Sequence, residues 1–159
     1  MTQNRQAGFT LVELMVVIVI IGLMAAVVVL NMPSPVSDLE KGTQKLAARL
    51  QLAAEESILA GQVTGVRVSS EGYEFLAYRR GRWIPMDLPG DEWPEGVMVR
   101  LVRDNLPVDL AGNQSEKLPS LWFDPLGDQL SFSIEISELE HKFKVSGEEN
   151  GEIVITRTP

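Results

Sequence analysis

Cysteine is absent from this chain. That excludes a disulfide framework, a thiolate metal site and a cysteine nucleophile. Basic residues are scarce, 14 Lys and Arg against 22 Asp and Glu, for a formal net charge of −8. Arg5 and Glu13 are the only charges before Asp38, so the acidity belongs to the rest of the chain. Such a domain is poorly suited to gripping nucleic acid, which needs cations against phosphates, and gains little from anionic headgroups. No nucleic-acid partner is expected. No G-x-S-x-G, Walker A or H-E-x-x-H pattern occurs, so nothing positive points to an enzyme. There is no internal repeat and no low-complexity segment.

What is present is uneven. Residues 1–8 are short and polar, with Arg5 as their one charge, and residues 9–32 are almost wholly apolar. From Leu14 to Met32 there are 19 residues without a charge. As a helix this run is about 30 Å long, about one hydrocarbon core. The 127 residues that follow suffice for one small core. A cleaved secretory signal would have a shorter apolar stretch, of about 7–15 residues, and a small-residue cleavage site before a polar mature start. Here Ala25-Ala26 leads into more Val and Leu. A plain uncleaved signal anchor fits the length but leaves Glu13 unexplained. A carboxylate within an apolar helix costs about 2.5–3.5 kcal/mol at the bilayer centre and less near an end. Glu13 either sits at headgroup level or has a cationic partner.

Gly8-Phe9-Thr10-Leu11-Val12-Glu13 resembles the recognition sequence of class III signal peptides, shared by type IV pilins and type II secretion pseudopilins. The resemblance implies that a prepilin peptidase cuts between Gly8 and Phe9 and N-methylates Phe9. Glu13 becomes the fifth mature residue and sets axial register among assembled subunits. The physics is compatible. Cleavage makes a cationic amine in an apolar setting, and residues 9 and 13 share one helix face. An unpaired buried charge is costly, and register-setting is a well-attested use of buried polar groups.

Pro33 and Pro35 interrupt the helical run, and a break is expected at Asn31–Pro35. Ser37-Asp38-Leu39-Glu40 reads as a capping box. From Asp38 to Ala60 a stripe of Leu39, Leu46, Leu50, Ala53, Ala54 and Ile58 predicts an amphipathic helix packed on its own domain. Gly61 is a plausible C-terminal cap. The period then changes to two. Strands are expected at Val63–Ser69, Tyr73–Arg79, Trp83–Met86, Val97–Val102, Leu121–Phe123, Leu130–Ile136, Lys142–Val145 and Ile153–Thr156. Residues 87–96 and 104–119 read as loops and Asp124–Gly127 as a tight turn.

The order, one long helix and then an all-β part, is the coarse shape of a pilin. Phe123-Asp124-Pro125-Leu126-Gly127, followed by a strand and a closing Ile-Val-Ile-Thr arm, resembles the H subunit of the type II secretion pseudopilus and its relatives among minor pilins. That resemblance implies an α+β pilin-like fold, with a membrane half and an amphipathic half of the helix and two antiparallel sheets. It divides the chain into a leader (1–8), a transmembrane assembly helix (9–32), a periplasmic amphipathic helix (33–61) and a periplasmic β domain (62–159). It implies a single-pass inner-membrane protein whose partners are other pseudopilins and the prepilin peptidase, without a cofactor. Many pilus subunits close their C-terminal region with a disulfide, which this chain cannot do. A minor pilin of a type IV pilus or DNA-uptake apparatus remains the alternative.

Three further groups merit placement. His141, the single histidine, lies in a polar stretch, and no spacing supports a dyad with Ser131, Ser133 or Ser137. Asp104, Asp109 and Asn113 do not match an EF-hand loop and are ordinary loop residues. Arg79, Arg80 and Arg82 beside Trp83 are read as a hairpin end, balanced by Asp87, Asp91, Glu92 and Glu95.

Overall fold

The structure, a computed structural model, describes residues 11–30, 35–111, 118–126, 131–148 and 151–158, with side chains at 25–30 and 35–37 left out. The chain forms two compact units, Met1–Ser34 and Pro35–Pro159. In the first, α1 spans Leu11–Leu30. The expected break at Asn31–Pro35 falls largely outside the described residues.

The second unit opens with α2, Pro35–Ala60. It starts two residues before the expected capping box, with Pro35 as the first helical residue, where its fixed φ and missing N–H cost nothing. Leu39, Leu46, Leu50, Ala53 and Ala54 are buried. Ile58, expected in the same stripe, is 55% exposed, and Ser57 takes the buried place instead. The end of α2 follows the Schellman pattern. Gly61 has φ 60°, its N–H donates to the Ile58 carbonyl at 3.3 Å, and the Gln62 N–H donates to the Ser57 carbonyl at 3.1 Å. A non-glycine side chain would strain that left-handed turn.

Among the described residues all strand pairs are antiparallel. One sheet has the order β3 (Arg82–Pro85), β2 (Gly72–Arg79), β1 (Thr64–Val68), β7 (Leu121–Phe123), with β4 (Asp91–Glu92) also on β2. The other runs β10 (Ile153–Thr158), β9 (His141–Gly147), β8 (Phe132–Glu138), β5 (Met98–Arg103), β6 (Leu106–Val108). Two of these strands fall where loops are expected, β4 within 87–96 and β6 within 104–119. Helix α2 packs on β1, β7, β9 and β10. One cluster then joins Leu46, Leu50 and Ala53 of α2, Val66, Val68 and Phe75 of the first sheet, and Ile134, Ile136, Phe143 and Val145 of the second. The helix therefore closes a core to which both sheets contribute, as an apolar sheet face requires.

The buried hydroxyls of Thr43, Thr64 and Ser120 bond to backbone groups. Thr43 Oγ1 donates to the Leu39 carbonyl at 2.8 Å and Thr64 Oγ1 to the Ala53 carbonyl at 2.8 Å, the latter tying β1 to α2. Ser120 accepts from the Val68 N–H and donates to the Val68 carbonyl, extending the β1–β7 ladder by a side chain. Positive φ at Arg80 (51°) and Gly81 (80°), and at Asp104 (50°) and Asn105 (63°), marks two tight hairpin turns of the type whose twist suits antiparallel strands.

Candidate functional site

Two regions carry the chemistry that the sequence singles out, the N-terminal helix and the surface of the β domain.

Helix α1 is apolar on every side. Its leucines, isoleucines and valines between Leu11 and Leu23 stand 45–76% exposed. A helix hydrophobic all round is made to be covered by lipid or by other helices. The stretch with described side chains, 11–24, is shorter than a membrane span, and among the described residues no helix qualifies as long and apolar enough to cross a membrane. Glu13 lies in the first turn of α1, where the helix dipole favours a carboxylate. Gly8 and Phe9 lie outside the described residues.

On the β domain, a polar assembly draws on three distant stretches of sequence. Arg49 of α2 is 14% exposed. Its Nη1 donates to Tyr73 Oη at 3.0 Å and to the Gly90 carbonyl at 3.1 Å, and lies 3.4 Å from Asp91 Oδ2. Lys45, one turn earlier, also binds Asp91. The Lys45 hydrogen bond, helped by both cations and against some burial, holds the Asp91 carboxyl below the usual carboxylate range. Burial pushes the Tyr73 phenol up, and the Arg49 hydrogen bond opposes it. The group clamps β4 and the loop before it onto α2. Its geometry is that of a fastener, with the two cations, the phenol and the carboxylate engaged by one another.

The other sequence candidates disperse. His141 begins β9 and faces Glu138 across a two-residue turn. Asp109 Oδ1 accepts the Ala111 N–H at 2.9 Å, a local turn; Asp104 sits in the β5–β6 hairpin turn; Asn113 lies outside the described residues. Among the described residues no group of three or more His, Cys, Asp or Glu is placed to hold a metal ion. Arg79 and Arg82 face each other across the β2–β3 hairpin, and Arg79 Nε donates to Gln62 Oε1 at 2.9 Å. Asp91, expected to balance them, is engaged by Lys45 and Arg49 instead.

An N-terminal helix apolar but for Glu13, followed by an amphipathic helix laid on two antiparallel sheets, is the architecture of a pilin-like α+β protein. Comparison with known proteins narrows this. Residues 3–29 match the family model of the prokaryotic N-terminal methylation motif, and residues 42–158 match that of type II transport protein GspH. The chain belongs to the GspH family. It is 32% identical over 114 residues to type II secretion system protein H of Pseudomonas aeruginosa, covering 69% of this chain and 66% of that one. It is 35% identical over 96 residues to the Aeromonas hydrophila protein of the same name, covering 58% and 51%. The matched part thus spans between half and two thirds of these relatives. In fold it is similar to the minor pseudopilin EpsH from the type 2 secretion system of Vibrio cholerae, with a TM-score of 0.61 at 22% identity over 74% of this chain and 95% of that one.

Proposed function

We propose that the chain is a minor pseudopilin of a type II secretion pseudopilus, made as a prepilin and anchored in the inner membrane with its β domain in the periplasm. The observation that carries this reading is the succession, on one chain, of the methylation motif at 3–29 and the H-type domain at 42–158.

In this reading, a prepilin peptidase cleaves between Gly8 and Phe9 and methylates the Phe9 amine. The new cation lies in apolar surroundings, where it needs a carboxylate. Glu13 supplies one, to its own chain or to the amine of the neighbouring subunit, and so fixes axial register. The apolar α1 holds the subunit in the membrane and then packs against the same helices of other pseudopilins. No bond is made or broken by the folded domain. Its role is mechanical, as a low-abundance subunit at or near the tip of a fibre that drives proteins across the outer membrane.

The test is Glu13→Ala in the native host. Cleavage and abundance should stay close to wild type, while co-purification with the major pseudopilin in sheared fibres falls at least tenfold. An unpaired buried charge costs about 3–5 kcal/mol, and about 1.4 kcal/mol is already tenfold. Unimpaired incorporation would overturn the pairing role.

A further inference from the structure

The outer face of the first sheet carries a cavity. Alternation along β1 sends Val66 and Val68 into the core, so Gly65 faces the other way. Cross-strand register then sets Trp122, Gly65, Leu76 and Pro85 in one row over four strands. A Cβ added to Gly65 would lie 2.7 Å from Pro119 Cβ and 2.9 Å from Trp83 Cζ3. Glycine is what lets Pro119 and Trp83 close over the sheet. Trp83 leans on Tyr78, ring centroids 5.1 Å apart. Around this floor opens a cavity of about 400 Å³ lined by Val63, Tyr78, Trp83, Leu118, Pro119, Trp122 and Asp124. Tyr78 is 44% and Trp122 38% exposed.

We propose that this cavity binds a pyranose ring of a neutral oligosaccharide. Flat indole and phenol faces match the C–H face of a sugar ring, and a few fixed polar groups supply orientation, as small-ligand sites of this size require. Asp124 is such a group. Its Oδ1 accepts the Leu126 N–H at 2.8 Å, which holds the carboxylate in place, and its remaining lone pairs can accept sugar hydroxyls. The competing ligands fit less well. A cation would meet the Arg103 guanidinium, which lies 4.8 Å from the Trp122 ring centroid. A proline-rich peptide stacks on aromatic grooves, but prolyl rings bring no donor for Asp124. A phosphate chain would be repelled by that carboxylate.

The experiment titrates the full chain, held in a polyoxyethylene detergent without sugar headgroups, with cellotetraose and with chitotetraose while following tryptophan fluorescence. A saturable change is expected with at least one of them. Trp122→Ala should raise the Kd at least tenfold and Asp124→Asn about fivefold, with unchanged melting curves. If Trp122→Ala lowers the melting temperature, Asp124→Asn decides alone, and an unchanged Kd overturns the proposal. No saturable change with either sugar up to about 10 mM, or saturable binding of decaproline in their place, also overturns it. Neither result bears on secretion or fibre assembly.

Discussion

Gly147 of β9 lies directly opposite Phe132 of β8, and a Cβ at Gly147 would come within 2.2 Å of Phe132 Cε1. The phenyl ring occupies the space that a side chain would fill. Phe132 is 4% exposed and meets Phe123 edge-on at 6.2 Å, so it joins the two sheets. Gly147→Ala forces this ring off its seat. A loss of about 1–3 kcal/mol is expected, the usual range for an overpacked core, read as a lower midpoint in urea with an unchanged slope.

The Lys45–Asp91–Arg49 group makes stability pH-dependent. Asp91 has a folded-state pKa below its unfolded value, so its contribution is complete above about pH 4. It is lost as pH falls through the lower folded value. Because Asp91 is 39% exposed, solvent screening limits the contribution to about 1 kcal/mol or less. Asp91→Asn should therefore be slightly less stable at pH 7 and lose less stability than wild type on acidification from pH 5 to pH 2. Melting curves across that range check it. Parallel acid curves for the two proteins would refute the assignment.

Leu139, at the tip of the β8–β9 hairpin, has φ 53° and is 89% exposed. A branched side chain there has a steric cost of about 1–2 kcal/mol and no burial to offset it. Leu139→Gly relieves the strain but adds freedom to the unfolded chain, by about 0.5–1 kcal/mol. The net expectation is a melting temperature higher by about 2 °C, measured by circular dichroism. A fall of several degrees would show that Leu139 is held by contacts.

Much of this fold was legible in the sequence where local rules coincide. The α2 stripe of Leu46, Leu50 and Ala53, closed by Gly61, combines periodicity with a cap. The Arg80-Gly81 turn and its flanking strands could be read as well. Strand β6 was missed because Pro107 argues against a strand. The sheet order makes β6 an edge, where a proline N–H is not needed. Strand β4 was missed because two residues between Pro89 and Pro94 carry no period. Ile58 was misplaced because a helix stripe read three and four residues at a time does not say where it ends. The Lys45–Asp91 pair, 46 residues apart, and the meeting of Trp83 with Pro119 above Gly65 had no local signal. Both follow only from strand order. The N-terminal motif was plain because it is contiguous.

The decisive quantity is the identity of the first residue of the protein extracted from membranes of its native host. Mass spectrometry should find N-methylphenylalanine at Phe9 and no trace of Met1–Gly8 in the mature chain. A mature protein that still begins at Met1, or that starts beyond Ala25, would contradict the assignment of this chain as a processed pseudopilin.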